Sequence, residues 1–561
     1  LSRKAGRPHA AATEPCGMSA SRPPRLIRAS EYGGVALAGE ASRWAGLVIY
    51  VGATIFLMLS FSAQTRAANL ARMAEDRFDV LVIGGGITGV GIALDAAARG
   101  FSVALAEKDD FASGTSGRSS RLIHGGFRYL EHREFGLVHE ALRERKILIR
   151  LAPHLVRPIP MYMLADSLPS RALYRLGLAG YDLLAAGRNV GLHRSVRAEQ
   201  VREAVPGFGG RSRGFRYFEC QTDDARLTIE VARTAQACSA VLANHARVEG
   251  LLGGARVEGA AVVDEVTGQR FEIRARATVN AGGVWADRVR GLAAAGGERL
   301  VPSKGVHLVF TPGAVRTKVG MVAPSAARDG RFIFLIPWED RVYAGTTDTA
   351  YTGDLEYPAV NDSDREYILA ALAQYFPAVT DRDVVASWAG LRPLLGQDHA
   401  SADVRTRDLS RGHAVFEDPP GLFTITGGKL TTYRSMAEDL VDRIADALGV
   451  AGSCRTRNIA LGLHGSSGEA LHLATAEVAR LRLSPHVGAR LVQRYGDDWR
   501  EAVRMISEDQ SLGEAVVDSL PVLNVELELA RSREMAITDE DVFVRRTRLT
   551  VFDASVEPSA R

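Results

Sequence analysis

"FDVLVIGGGITGVGIALDAAARGFSVALAEKDD", residues 78–110, joins two short apolar runs through a glycine turn and a stretch of small and aliphatic residues. The runs read as strands, Phe78–Ile83 and a second one ending at Glu107, and the segment between them reads as a helix. This is a beta-alpha-beta unit with a G-x-G-x-x-G turn. Gly84 allows the tight turn, Gly86 lets backbone approach a pyrophosphate, and Gly89 lets the helix pack close to the strand. The helix N-terminus then offers N–H groups and a positive dipole end to the phosphates. Glu107, 18 residues after Gly89, closes the second strand where a carboxylate can accept from ribose hydroxyls. A carboxylate there disfavours a 2′-phosphate. A glycine turn alone could be only a turn, but strand, helix, strand and terminal acid in register point to a dinucleotide.

The rest of the chain narrows the function class. With 561 residues there is length for two or three domains. The formal net charge of +3 gives no field for nucleic acid. Four distant cysteines (Cys16, Cys220, Cys238, Cys454) form no C-x-x-C pair, and the 13 histidines no HExxH, so no metal is expected.

Immediately after the fingerprint, "DDFASGTSGRSSRLIHGGFRYL" (109–130) brings Ser113, Thr115, Ser116, Ser119 and Ser120, short hydroxyls suited to phosphate and ribitol oxygens. Its glycines let backbone pass close to a flat ring. "ARATVNAGGVWAD" (275–287) reads as a buried strand that stops in small residues at Gly282, leaving room for a ligand. "LFTITGGKLTTYRSMAEDLVDRI" (422–444) repeats that grammar around Gly427 and Gly428. Three separated segments converging on one cofactor favour FAD over NAD.

These stretches, with "SSRLIHGGFRYLEHREFGLVHEALRER", "DDARLTIEVA", "FLIPWEDRVYAGTTDT", "GLRPLL", "TRD" and "GGKLTTYR", resemble the FAD-dependent glycerol-3-phosphate dehydrogenases over about residues 76 to 550. The resemblance implies an α/β (α+β) fold in which a Rossmann-like FAD-binding domain is interleaved with a β-sheet substrate domain, followed by a helical C-terminal domain. It implies oxidation of sn-glycerol 3-phosphate to dihydroxyacetone phosphate, with electrons passed to a membrane quinone. It further implies a peripheral position on the cytoplasmic face of the inner membrane, contact with the membrane surface, and a homodimer as a candidate assembly. A glycerol-3-phosphate oxidase using oxygen, or another FAD-dependent hydroxy- or amino-acid oxidoreductase, is the alternative.

A flavin that oxidises a secondary alcohol needs a proton acceptor and, for a phosphorylated substrate, a cationic clamp. His307, on the apolar run "SKGVHLVFT", is the expected acceptor because its ordinary pKa lies near neutrality. A merely buried core histidine is the competing reading. Arg128, Arg392, Arg407 and Lys429 are the candidate cations. By resemblance Arg128, Arg392 and Lys429 match positions that grip substrate, Arg128 also serving the reaction, with Tyr129 on the wall; Arg407 is less secure. His124, Leu430 and Thr431 are expected beside the flavin.

Domain limits are expected at 77–454 for the interleaved body and 455–561 for the helical domain. Residues 1–76 read as an extension. Within it, Trp44–Thr65 carries no charge over 22 residues, enough to span a bilayer. The sequence admits an anchor, a removed targeting segment, or upstream sequence ahead of a start at Met73. The last is favoured, because Met73 directly precedes the first strand.

Overall fold

The computed structural model describes residues 61–130, 134–165, 167–210, 212–293, 299–325, 331–396 and 412–556. Two sheets organise them. The first has eight strands, and its spine is five parallel ones in the order Leu422–Gly427, Arg270–Asn280, Arg77–Ile83, Val103–Ala106 and Val241–Ala243. The central strands are buried on both faces, which is why "VLVI" and "VALA" are continuous apolar runs rather than alternating ones. Helix Ile87–Ala98 covers one face between helices Asp224–Ala237 and Tyr433–Leu448. A turn at Thr267–Gln269 joins Val257–Asp264 to Arg270–Asn280.

The second sheet has ten strands among the described residues, with Leu300–Phe310 paired to Arg341–Gly345 on one side and to Val384–Leu395 on the other. A Glu339–Asp340 turn links Phe332–Trp338 to Arg341–Gly345. The chain passes back and forth between the sheets, so strands distant in sequence meet at the shared cleft. Beyond Cys454, helices Ser467–Arg480, Pro485–Tyr495, Trp499–Glu508 and Asn524–Arg533 surround their own apolar core. They are joined by a two-stranded ribbon, Ala515–Val517 with Leu520–Leu523, which the helical reading of that region missed.

Two expectations change. The boundary at 76 and the start at Met73 do not suit the packing. Ser62 caps a helix, Ala63–Glu75, that lies against strands Arg270–Asn280 and Val241–Ala243. Its Arg66 is buried, pairs with Asp264 and donates from Nε to the Asn244 carbonyl at 2.9 Å. Asn69 donates to the Leu242 carbonyl at 2.8 Å, and Phe61 joins the main core beside Phe111. Residues 44–60 of the apolar stretch lie outside the described residues. No helix among the described residues is long and apolar enough to cross a membrane.

The second change is to what apolar residues at helical spacing imply, one apolar face and one solvated: helix Phe135–Leu151 departs from it. Its Glu144 and Arg145 are fully buried. Glu144 accepts from Arg434 at 2.7 and 2.8 Å, and Arg145 donates to Glu219 at 2.6 Å. Partners more than 70 residues away, invisible to a periodicity argument, neutralise both charges.

Candidate active site

The glycine turn opens one end of a cleft of about 830 Å³ whose walls come from both sheets. A Cβ at Gly89 would lie 1.9 Å from the Gly84 carbonyl oxygen, so the helix can start this close to the strand only with glycine there. Gly84 has φ +112° and would press a Cβ onto the Ala281 carbonyl. Gly89 therefore shapes the turn without lining the cleft, whereas Gly84, Gly86 and Gly282 form its wall. Ser116 Oγ accepts from the Ile87 N–H at 2.9 Å and so caps the start of helix Ile87–Ala98.

Glu107 follows strand Val103–Ala106 and is buried. It accepts from the backbone N–H groups of Gly85 and Asp109. Burial pushes its carboxyl up to about 7, these two donors offsetting only part of the effect.

The central part of the cleft gathers side chains from four strand ends. Thr115, Ser119, Ser120 and His124 line it from the loop after Glu107, and Gly428, Lys429 and Leu430 from the turn after strand Leu422–Gly427. Thr115 Oγ1 is committed to the Leu391 carbonyl at 2.6 Å. Thr431 is buried behind this wall, where its hydroxyl donates to the His124 carbonyl at 3.3 Å. Residues 127–130 form a short 3-10 turn; the side chains of Arg128 and Tyr129, and all of Arg407, lie outside the described residues.

His307 and Arg392 face this space from neighbouring strands. Arg392 is held by Thr346 Oγ1 at 3.1 Å, the Thr347 carbonyl at 3.2 Å and Ser303 Oγ at 3.4 Å, with Asp348 at 3.6 Å. It lies across Gly305, where a Cβ would come within 2.4 Å of Nη2. Ser303, Thr346 and Asp348 were not anticipated. Thr346 and Asp348 lie in "GTTDT" (345–349) and Ser303 opens "SKGVHLVFT", stretches whose hydroxyls and acid carry no signal of a shared arginine.

His307 is buried and flat against Trp388, with ring centroids 4.7 Å apart at 14°. Its Nε2 lies 2.9 Å from Ser120 Oγ, while Nδ1 is enclosed without a polar partner among the described residues. Burial, then the Arg392 and Arg121 guanidiniums, push its pKa down to about 3, so the ring is neutral. Sequence reading assigned Ser120 to the cofactor; the structure joins it to His307.

The glycine cradle, the capped helix start and the buried acid fit the pyrophosphate and ribose of a dinucleotide, and the wide cleft beyond them suits an attached flat ring. The family described as FAD dependent oxidoreductase matches residues 79–443, and that described as C-terminal domain of alpha-glycerophosphate oxidase matches residues 454–560. Glycerol-3-phosphate dehydrogenase 2 of Mycobacterium tuberculosis (strain ATCC 25618 / H37Rv) is 39% identical over 496 residues, covering 87% of this chain and 83% of its own. Alpha-glycerophosphate oxidase of Streptococcus pneumoniae serotype 4 is 33% identical over 576 residues, covering 89% and 94%. The solved glycerol-3-phosphate dehydrogenase of Bacillus halodurans, complexed with FAD, superposes with a TM-score of 0.72 at 34% identity, covering 88% of this chain and 90% of that one.

Proposed function

Because the chain belongs to the FAD-dependent glycerol-3-phosphate dehydrogenases, we propose that it passes the electrons of glycerol 3-phosphate to a quinone at a membrane surface, with His307 as proton acceptor and Arg392 and Lys429 as the phosphate clamp. The observation that carries this reading is that the dinucleotide cradle, a neutral buried histidine and a pre-held arginine line one cleft. Bound there, FAD supplies the hydride acceptor. Gly84, Gly86, Gly282 and Glu107 hold its nucleotide end, with Ser116 fixing the helix start. Arg392 needs little reorganisation to meet a phosphate, since Thr346, Thr347 and Ser303 already fix its fork. The substrate hydroxyl gives its proton to His307 at Nε2, the ring atom that meets Ser120. Arg128 and Tyr129 sit on the short turn beside His124, within the same loop.

The surface supports a lipid-bound acceptor. Helix Leu168–Ala185 buries Leu178, Tyr181 and Ala185, yet Leu168, Leu173, Leu176 and Leu183 are 60 to 80% exposed. Val190 and Leu192, just downstream of the helix, are exposed as well. Across residues 167–197 five arginines (171, 175, 188, 194, 197) accompany a single acid, Asp182, which is bonded to His193 and Asn189. Apolar side chains amid unbalanced arginines suit an anionic bilayer.

The deciding experiment mixes the FAD-loaded full chain with glycerol 3-phosphate without oxygen and follows the flavin absorbance. Bleaching is expected, with reoxidation faster by quinone in anionic vesicles than by oxygen. Leu176→Asp with Leu183→Asp should abolish vesicle flotation and the vesicle advantage while leaving reduction by substrate intact. Faster reoxidation by oxygen would make the chain an oxidase, and absence of bleaching would remove glycerol 3-phosphate as substrate.

A further inference from the structure

Directly behind His307 lies a charge with no conventional partner. Arg121 is fully buried, and none of its three guanidinium nitrogens has a hydrogen-bond partner among the described residues. Rings surround it: Trp338 and Trp388 with centroids at 4.9 Å each, and Phe552 at 4.4 Å. The Asp224 carboxylate stands off at 4.0 Å from Nε. A buried cation whose donors are unsatisfied is costly, and cation–π contact is a weaker substitute than hydrogen bonds. A purely structural arginine would be expected to bond to backbone carbonyls, as Arg546 does with Glu534.

The box is continuous with the base. Trp388, one wall, is the ring stacked on His307. Phe552, from the last helix of the C-terminal domain, stacks on Trp338 at 5.4 Å and 5°. The backbone leading into Arg121 serves the same group: the Ser119 carbonyl accepts from Trp388 Nε1 at 3.3 Å, the Ser120 carbonyl from the Tyr343 hydroxyl at 2.9 Å, and the Ser120 hydroxyl meets His307. Three successive residues thus contact Trp388, Tyr343 and His307 or fill the cage behind them.

We propose that Arg121 is a positioning residue for His307: caged by Trp338, Trp388 and Phe552, it holds Trp388 flat against the imidazole and keeps a positive charge behind it, so that the C-terminal domain, through Phe552, takes part in setting the base. The proposal rests on the assignment of His307 as proton acceptor. Other charged or titratable groups facing the pair are Arg392 and Tyr343 beside the imidazole, and Asp223, Asp224 and Arg548 beside Arg121. Arg121 and Arg392 both disfavour the imidazolium, so the resting ring is neutral; the charge itself opposes proton uptake, and what Arg121 contributes to the base is its orientation through Trp388.

The test is anaerobic single-turnover reduction of the FAD-loaded full chain by glycerol 3-phosphate, measured against pH for wild type, Arg121→Met, Arg121→Lys, Phe552→Leu and His307→Ala. Arg121→Met should slow reduction on the order of ten-fold, a part of the roughly 10²–10⁴-fold that a positioned base supplies, with substrate affinity unchanged. Its acidic limb should move to higher pH, because the lost charge no longer opposes protonation. Arg121→Lys should return the limb toward the wild-type position, and Phe552→Leu should slow reduction with the charge still present. If His307→Ala is slow but Arg121→Met matches wild type in rate and limb, the proposal falls and the base assignment stands. If Arg121→Met fails to hold FAD while Phe552→Leu reduces normally, Arg121 is structural only. A wild-type rate in His307→Ala would end both.

Discussion

Glu107 serves two conditions that act on its proton in opposite directions. Its burial raises the carboxyl to about 7 before any ligand arrives, whereas ribose hydroxyls require an ionised acceptor. Below that pH the FAD-free protein holds a proton that must leave on binding, so FAD affinity rises with pH through this range, by at most about ten-fold per unit. Fluorescence titration of FAD into the FAD-free protein on either side of neutrality should show this rise. Glu107→Gln should bind FAD more weakly and flatten the dependence; a pH-dependent Glu107→Gln protein would place the titrating group elsewhere. Glu107 was visible in the sequence because the fingerprint fixes its distance from Gly89. Ser120 was visible only as a hydroxyl in a hydroxyl-rich loop, since its partner lies 187 residues away. The same holds for Arg121, whose cage comes from the substrate sheet and the last helix.

At the scale of elements, what could be read was local: the beta-alpha-beta unit, the Glu339–Asp340 hairpin and the helix Phe135–Leu151 all follow from periodicity and turn chemistry. Sheet membership was not legible, because pairing across hundreds of residues leaves no periodic trace. Helix Ala63–Glu75 was missed for a related reason. It is largely polar, and its buried face mixes Arg66 and Asn69 with Met73 and Leu70, so no continuous apolar stripe marks it. Removing it would leave Asp264, at the end of strand Val257–Asp264, without its cation. With the helix go the Arg66–Asp264 pair, the Asn69 hydrogen bonds and the packing of Phe61 in the core. A chain begun at Met73 should therefore melt well below one begun at residue 61 and retain less FAD. Equal melting temperatures would show the helix to be dispensable.

The molecule as a whole is held together by buried arginines that cross from the C-terminal domain. Asp110, just past the fingerprint, receives Arg545 at 2.7 Å and Arg546, and Arg548 pairs with Asp223 and Asp224 while donating to the Gly117 carbonyl at 3.0 Å. Burial raises the Asp223 carboxyl, but Arg548 and Arg494 more than offset it and hold it far below the usual range. That contribution is present above the unfolded value of about 4 and lost only below it. Two histidines respond sooner. His154 has no hydrogen-bond partner at either ring nitrogen among the described residues, and burial, then Arg226, push it down to about 3, as burial foremost does for His307. An imidazole in the unfolded chain titrates near 6.5, so between 6.5 and 3 the unfolded chain binds protons that the folded one refuses. Stability therefore falls as pH drops through that window, by up to about 1.4 kcal/mol per unit for each ring. Denaturant unfolding should thus weaken from pH 6.5 downward, before the interdomain carboxylates titrate. His154→Leu, which refills the site without a titrating group, should remove about half of that slope; an unchanged slope would exclude His154 as a source of acid lability.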